Sequence, residues 1–491
     1  MRFQCIMISP LFNPCLVTSL LFFHSITHLL FHATFISSVR AQNQGNMTQA
    51  NNQNVFLANL PKFLEKARTD EGIKRMSVAI IHRGEPIFVQ GFGKRNRNDP
   101  FTKETVTHIA SVSKAFAATA VGELVADGKV DWNKIPVSHY LPEFQLQDPV
   151  LISQLTFADL LYHRTPVPTI DTAWYRNAQP PRELIKQLRH LDLPSTKLTP
   201  YLNYNNVLYS IVGEAAANVA GMSYADLIKT KIHKPLGLRN AKKGIYEEGY
   251  IDMIPMPDAA AGDIFMDAMD LAKWGRVILK EGDLNGKQVL NKKSVQETLK
   301  PQSIADDEER QLGVAPTLGY GLGWSLDSYK GYTFIRHTGS NPGYQSNLAL
   351  FPDDDLVVAH LTNIESTTLP SLLFLYIADE MLGLPKTIDW LSLIDYAGEF
   401  IHPVYGKIVV TLQKDRKALQ VQYMTPESRL KHYHYESFKG RVHDFVVKGY
   451  MFLTFITSAD GDVGSAEVVL TGEAVSLKFK KAEAGAAPKE E

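Results

Sequence analysis

Two short apolar hairpins at opposite ends of a long helical region constrain this chain more than any other feature. Residues 77–81 (SVAII) and 87–89 (IFV) flank the turn segment His82-Arg83-Gly84-Glu85-Pro86. Residues 347–351 (NLALF) and 356–360 (LVVAH) flank Pro352-Asp353-Asp354-Asp355. Both read as antiparallel hairpins. Between them the apolar period changes to that of helices. One helix is expected over about 111–126, with Phe116, Ala120 and Leu124 on one stripe and a stop at Asp127-Gly128. A second starts near Asn206, with Leu208, Ile211, Val212 and Ala215 aligned. A third starts near Asp267, carries Leu271, Trp274 and Ile278, and ends near Gly282. A closing helix over 370–383 stops at Gly383 and Pro385. Two hairpins so far apart, with helices between, suggest one antiparallel sheet closed by both ends of the domain. Helices then cover its faces, an α+β fold.

From about 393 to 480 the pattern is strands alone. Ile408, Val410 and Leu412 alternate with Lys407, Val409 and Thr411. Leu419, Val421 and Tyr423 form one further period-two set, and Val475, Leu477 and Phe479 another. Such repetition indicates a small antiparallel sheet or barrel. The tail 481–491 (KAEAGAAPKEE) is expected to be disordered.

The N-terminus reads as a targeting segment. Residues 16–39 are apolar and end at Val39-Arg40-Ala41, where small or neutral residues suit a signal peptidase. Residues 1–41 are therefore expected to be a secretory signal peptide, with 42–54 a polar linker and 55–385 the first folded domain. An uncleaved anchor tethering the chain to a membrane is the rival reading, disfavoured by His24, His28 and His32 near its centre. The sequon Asn46-Met47-Thr48 fits the secretory route. Both cysteines, Cys5 and Cys15, lie in this segment, so the folded part has no thiol nucleophile, thiolate metal ligand or disulfide. With 51 Lys plus Arg against 52 Asp plus Glu, no basic excess is available for nucleic acid. His432 and His434 are two ligands without a third, so no metal is expected, and no other cofactor.

The chemistry centres on Ser111-Val112-Ser113-Lys114. Positions i and i+3 of a helix share a face, so the Lys114 amine can reach the Ser111 hydroxyl, which needs a base to become a nucleophile. Taken alone, the pattern reads as a serine N-cap beside a solvated lysine. Two further elements alter that. Tyr204-Asn205-Asn206 precedes a helix, and Arg336-His337-Thr338-Gly339 precedes the second hairpin. In this order the three resemble the S-x-x-K, Y-x-N and K/H-T/S-G motifs of serine β-lactamases and penicillin-binding proteins. The surrounding blocks, such as THIASVSKAFAATAVGELVADGKVDWNKIP and YNNVLYSIVGEAAANVAGMSYADLIKTKIHKPLGL, resemble the class C β-lactamase-related family over about 55–385. The C-terminal part resembles the small lipocalin-like barrel appended to many such hydrolases.

The resemblance implies a β-lactamase/transpeptidase-like sheet flanked by helices, and roles for single residues. Ser111 would be the acyl-forming nucleophile, and Lys114 and Tyr204 the base system. Asn206 would hold the Lys114 amine and the substrate amide. His337, Thr338 and Gly339 would form the strand edge along which a small-molecule or peptide substrate lies. The backbone N–H groups of Ser111 and Ser340 would form an oxyanion hole. Where β-lactamases usually carry Lys, this chain has His337, which would grip a substrate carboxylate only when protonated. The expected activity is therefore esterase-like or D-amino-acid peptidase-like, with little penicillinase activity. A second departure is Leu160-Leu161-Tyr162-His163-Arg164-Thr165-Pro166, where relatives carry L-L-x-H-T-S-G. A different turn is expected there, with His163 either orienting the loop or simply packed. The competing hypothesis is a catalytically inactive relative that keeps the fold as a binding or scaffold module. Retention of Ser111, Lys114, Tyr204 and Asn206 together argues for the enzyme.

Overall fold

In a computed structural model of the chain, the structure describes residues 49, 51–69, 72–96, 98–171, 180–239, 242–243, 259–304, 317–363, 369–385, 396–412, 419–423, 428–434, 437–443, 448–457, 463–470 and 476–482. The expected signal peptide or anchor, residues 1–41, lies outside them. The chain divides into two compact units, Met1–Leu60 and Pro61–Glu491. The described residues of the first are helical, and the helical residues include 51–54. The polar linker expected up to residue 54 is therefore cut short. Within this helix the Asn59 amide donates to the Val55 carbonyl.

The second unit is organised on a seven-stranded antiparallel sheet. Its strands are β1 (Arg75–His82), β2 (Glu85–Gly93), β3 (Thr317–Tyr320), β4 (Ser325–Tyr329), β5 (Tyr332–Asn341), β6 (Tyr344–Phe351) and β7 (Leu356–Thr362). The spatial order is β2-β1-β7-β6-β5-β4-β3. Both expected hairpins are present, and they meet through β1 and β7, with Val78 opposite His360 and Ile80 opposite Val358. All residues of β1 and β7 are buried, as their near-continuous apolar runs require. The strands β3 and β4 were not read from the sequence, and β5 was expected only as the strand edge of His337, Thr338 and Gly339.

Helices α1 (Ser113–Ala126), α2 (Asn206–Ala220), α3 (Ala268–Leu279) and α4 (Leu369–Leu382) match the four expected helices. α3 is capped by Asp267, whose carboxylate accepts the Asp270 N–H at 2.7 Å. It packs on β1, β6 and β7. Leu348, Leu350 and Val357 meet it at Gly275, where a Cβ would stand within 2.9–3.2 Å of them. On the opposite face of β6, Phe351 stacks on Phe334, and Phe334 stacks on Phe374 of α4. α1 is held against α3 by Phe116 stacked on Trp274 at 3.7 Å, which continues to Trp324.

The C-terminal strands close into an eight-stranded antiparallel barrel. They are β8 (Gly398–His402), β9 (Gly406–Leu412), β10 (Leu419–Tyr423), β11 (Ser428–His434), β12 (Ser437–His443), β13 (Lys448–Thr457), β14 (Val463–Leu470) and β15 (Ser476–Lys481). β8 pairs with β15 to complete the ring. Phe400, Ile408, Val410, Val421, Phe455 and Phe479 fill its core. Lys481 is the last residue of β15, and Ala482 N–H bonds the Glu399 carbonyl. The expected disordered tail therefore starts too early, because closing the barrel takes up Lys481. Residues 483–491 lie outside the described residues.

Candidate active site

Ser111 precedes α1 rather than opening it. It sits in a single 3₁₀ turn, Ala110–Val112, that feeds directly into the helix. The turn is entered through Ala110 in the left-handed region, at φ 46°, a conformation that costs a non-glycine residue energy and marks a constrained site. The structure holds it from three sides. Val112 N–H bonds the Ile109 carbonyl, Ile109 N–H bonds the Ile264 carbonyl, and Ser346 Oγ donates to the Ile109 carbonyl at 2.5 Å. Ser113, the neighbouring hydroxyl, is buried and accepts the Ile264 N–H, so it is turned away from Ser111's surroundings.

Lys114 is fully buried at the hub. Its Nζ donates to Ser111 Oγ at 3.2 Å, Asn206 Oδ1 at 2.7 Å and the Ala261 carbonyl at 2.9 Å. Three acceptors are the number an ammonium can serve, which is how a buried lysine avoids an unsatisfied charge. The same Nζ lies 4.8 Å from the centre of the Tyr204 ring and 5.5 Å from that of Tyr209, within cation–π range. Asn206 Nδ2 donates in turn to Asp171 Oδ2 at 3.0 Å. Ser111, Lys114, Tyr204 and Asn206 thus converge from two helix starts. The Ala261 carbonyl and Asp171 complete the cluster and were missed by the sequence reading. No local pattern marks a backbone carbonyl or a lone aspartate.

β5 supplies the third part. β4 ends opposite Arg336, whereas β6 follows β5 to Asn341. Beyond Arg336, β5 therefore has a strand on one side only among the described residues. Its side chains alternate: Thr338 and Ser340 are exposed, His337 and Gly339 buried. A Cβ on Gly339 would collide with Ser346 Oγ and the Ile109 carbonyl, and reach Ala110 Cβ at 3.0 Å. Gly339 is thus the position at which β5 presses on the turn bearing Ser111. We expect Gly339→Ala to lower stability by about 1–3 kcal/mol through overpacking and, by shifting that turn, to slow acylation about 100-fold. Thermal melts and labelling rates check this; a variant with wild-type labelling would uncouple β5 from the nucleophile. Gly323, at φ 80°, makes a similar approach to the backbone of Lys114 and Ala115.

His337 lies on the buried side of β5. Only 4% of it is exposed, and both ring nitrogens are engaged. Nδ1 lies 2.6 Å from the Thr338 carbonyl, which can only accept, so the network assigns the proton to Nδ1. Nε2 then accepts from the Tyr320 hydroxyl at 3.0 Å. Burial, and secondarily the Lys114 charge, pushes its pKa down to about 3. Strand alternation points the ring into the protein, on the same side as Gly339 and away from the exposed Thr338 and Ser340. Thr338, Gly339 and Ser340 remain along the open edge.

The divergent 160–166 loop has its own anchors. Thr156 caps the short helix Phe157–Leu161 in a capping box with Asp159. Arg164 then pairs with Asp159 at 2.6 Å. His163 turns the chain in the left-handed region, at φ 57°. Asn203 and Asn205 lace the loop to the Tyr204 segment through the Thr165, Val167 and Pro168 carbonyls.

The beta-lactamase family profile matches residues 60–379, and that of a domain of unknown function, DUF3471, matches residues 385–484. An unguisins hydrolase of Aspergillus campestris is 22% identical, over 71% of this chain and 76% of its own. Penicillin-binding protein 4 of Amycolatopsis lactamdurans is 25% identical, over 60% of this chain and 78% of its own. The octameric penicillin-binding protein homologue from Pyrococcus abyssi superposes with a TM-score of 0.60 at 21% identity, covering 86% of this chain and 99% of that one. The D-amino acid amidase from Ochrobactrum anthropi SV3 gives 0.56 at 21% identity, covering 67% and 97%. At these identities the solved structures establish the fold alone.

Proposed function

The chain belongs to the beta-lactamase family, and on that premise we propose that it is a serine hydrolase that cleaves an ester, amide or peptide bond through an acyl-enzyme on Ser111. One observation carries the reading: the buried Lys114 Nζ bound at once to Ser111 Oγ, Asn206 Oδ1 and the Ala261 carbonyl. A scaffold has no physical need to bury a cation against a half-exposed hydroxyl.

In the proposed reaction, the reacting form of the Lys114–Tyr204 pair carries one proton fewer than an ammonium plus a phenol; Ser111 Oγ attacks the substrate carbonyl carbon and its proton fills that vacancy. The oxyanion is met by the N–H groups of Ser111 and Ser340, one on the 3₁₀ turn and one on the open part of β5. The tetrahedral intermediate collapses, the leaving group takes the proton, and the acyl group stays on Ser111. Water then attacks the ester, the same pair accepts its proton, and the acid is released with Ser111 restored. Thr338 and Ser340 stand where an extended substrate would lie. Because His337 offers no cation, carboxylate-bearing β-lactams lack a charge-assisted anchor from this strand. This favours esters and amides, including those of D-amino acids, over penicillins.

The deciding experiment is labelling of the pure protein with a fluorophosphonate and a fluorescent penicillin, with the adduct located by mass. A single adduct on Ser111 supports the reading; no labelling by either probe, with the protein folded, overturns it. A second expectation follows from the shared contacts of Lys114. Lys114→Ala and Tyr204→Phe should each slow acylation by about 10³-fold or more, and the double variant little further, because parts of one relay are not additive. Losses that multiply would give the two side chains separate roles.

A further inference from the structure

His163 is used nowhere in the reaction above, yet it holds the chain on both sides of Tyr204. Its carbonyl accepts the Asn203 N–H at 2.8 Å. Its Nδ1 accepts the Asn205 N–H at 3.1 Å. Between these two bonds lies Tyr204, whose ring packs on the imidazole with centroids 4.5 Å apart. The ring is wholly buried, and Tyr209 and Tyr320 stand 5.0 and 5.3 Å from it.

The bonds settle the ring's chemistry. A backbone N–H can only donate, so Nδ1 is the bare nitrogen and the proton is on Nε2. Nε2 is buried and has no hydrogen-bond partner among the described residues. A protonated ring would lose the Asn205 bond and set a second cation near Lys114. Burial, then Lys114 and His337, accordingly hold this imidazole well below its usual range. The left-handed backbone of His163 is held from both sides. Arg164 returns to Asp159, Tyr209 Oη donates to the Leu161 carbonyl at 2.8 Å, and Thr199 N–H bonds the Arg164 carbonyl.

We infer that His163 is a positioning residue for the base system: its carbonyl and Nδ1 grip the residues before and after Tyr204, so that Tyr204 and Asn206 reach Lys114 together. The inference rests on the proposed acyl-enzyme chemistry. What the ring must supply is an acceptor at the Nδ1 position on a backbone of positive φ. Asparagine supplies both, since its Oδ1 falls where Nδ1 lies and it tolerates this conformation better than most residues. Leucine fills the volume and supplies neither. Glycine accepts the backbone and removes the acceptor.

The test compares His163→Asn, His163→Leu and His163→Gly by the rate of fluorophosphonate labelling at Ser111, by kcat and KM for p-nitrophenyl butyrate, and by hydrogen exchange at the Asn205 amide. Asn is expected to label within about tenfold of wild type. Leu and Gly should fall by about 100-fold, in kcat with KM nearly unchanged, because His163 does not line the open edge of β5. The Asn205 amide should stay protected in wild type and Asn, and exchange freely in Leu and Gly. Should Leu fail to fold, Gly carries the comparison. The inference is overturned if Asn labels no faster than Gly, if Gly labels like wild type, or if the Asn205 amide exchanges alike in all. If wild type itself takes no label, the proposed function fails instead, and the exchange data still decide whether His163 holds the segment.

Discussion

Ser111→Ala leaves a folded protein that takes up neither fluorophosphonate nor penicillin and hydrolyses p-nitrophenyl butyrate at least about 10⁴-fold more slowly than wild type. Folding should survive because Ser111 is half-exposed and its hydroxyl only accepts one bond from Lys114. Lys114 keeps Asn206 and the Ala261 carbonyl in the variant. Ser113 cannot substitute, since its hydroxyl is buried on the Ile264 N–H. Intact mass of the variant after incubation with a slow ester is the direct check. An adduct that persists would move the nucleophile elsewhere.

The second large effect is acid lability. His337 and His360 are pushed down to about 3 and His233 to about 4, in each case chiefly by burial, and His163 is held well below the usual range. In the unfolded chain each titrates near 6.5. Below that value the unfolded state binds protons the native state refuses. Stability is therefore complete above about pH 6.5 and is lost as pH falls toward 4 and 3. Each histidine adds roughly 1.4 kcal/mol per pH unit, so the four together weaken the fold by about 5 kcal/mol per unit below pH 6. Urea melts at pH 7.5, 6.0 and 5.0 should show the midpoint dropping steeply. His360, on β7 with neither ring nitrogen partnered among the described residues, isolates one share: His360→Leu should flatten the slope by about a quarter and gain at pH 5. Equal midpoints at pH 7.5 and 5 would mean that these rings titrate in the native state.

The parts legible in the sequence were those with local signatures. The four helices announced themselves by apolar stripes and terminal Asp, Asn or Gly, and the hairpins by paired apolar runs around polar turns. Ser111 and Lys114 stood out through their spacing, and Tyr204 and Asn206 only through order along the chain. Asp171, Tyr320 and the Ala261 carbonyl were not legible, because their roles come from contacts made across the folded domain. For His337 the side of the strand was legible. Period two on a strand separates His337 and Gly339 from Thr338 and Ser340, whereas reading the four as one motif placed them together. The barrel was visible in β9, β10 and β15, where apolar and polar residues alternate. In β11 (SRLKHYH) and β12 (SFKGRVH) the pattern is submerged by polar side chains.

The register of the central sheet also bears on how the protein is made. Arg75 N–H bonds the Asn363 side chain across 288 residues of sequence, and Met76 to His82 of β1 are paired on the far edge with β7. At about 5–20 residues per second, a ribosome delivers β7 some 15–60 s after β1. During that interval the apolar hairpin of β1 and β2 has an open edge and no sheet to join. The first strand synthesised in the domain is thus among the last to be completed. A nascent chain stopped before residue 356 should remain a client of chaperones, however fully its helices have formed.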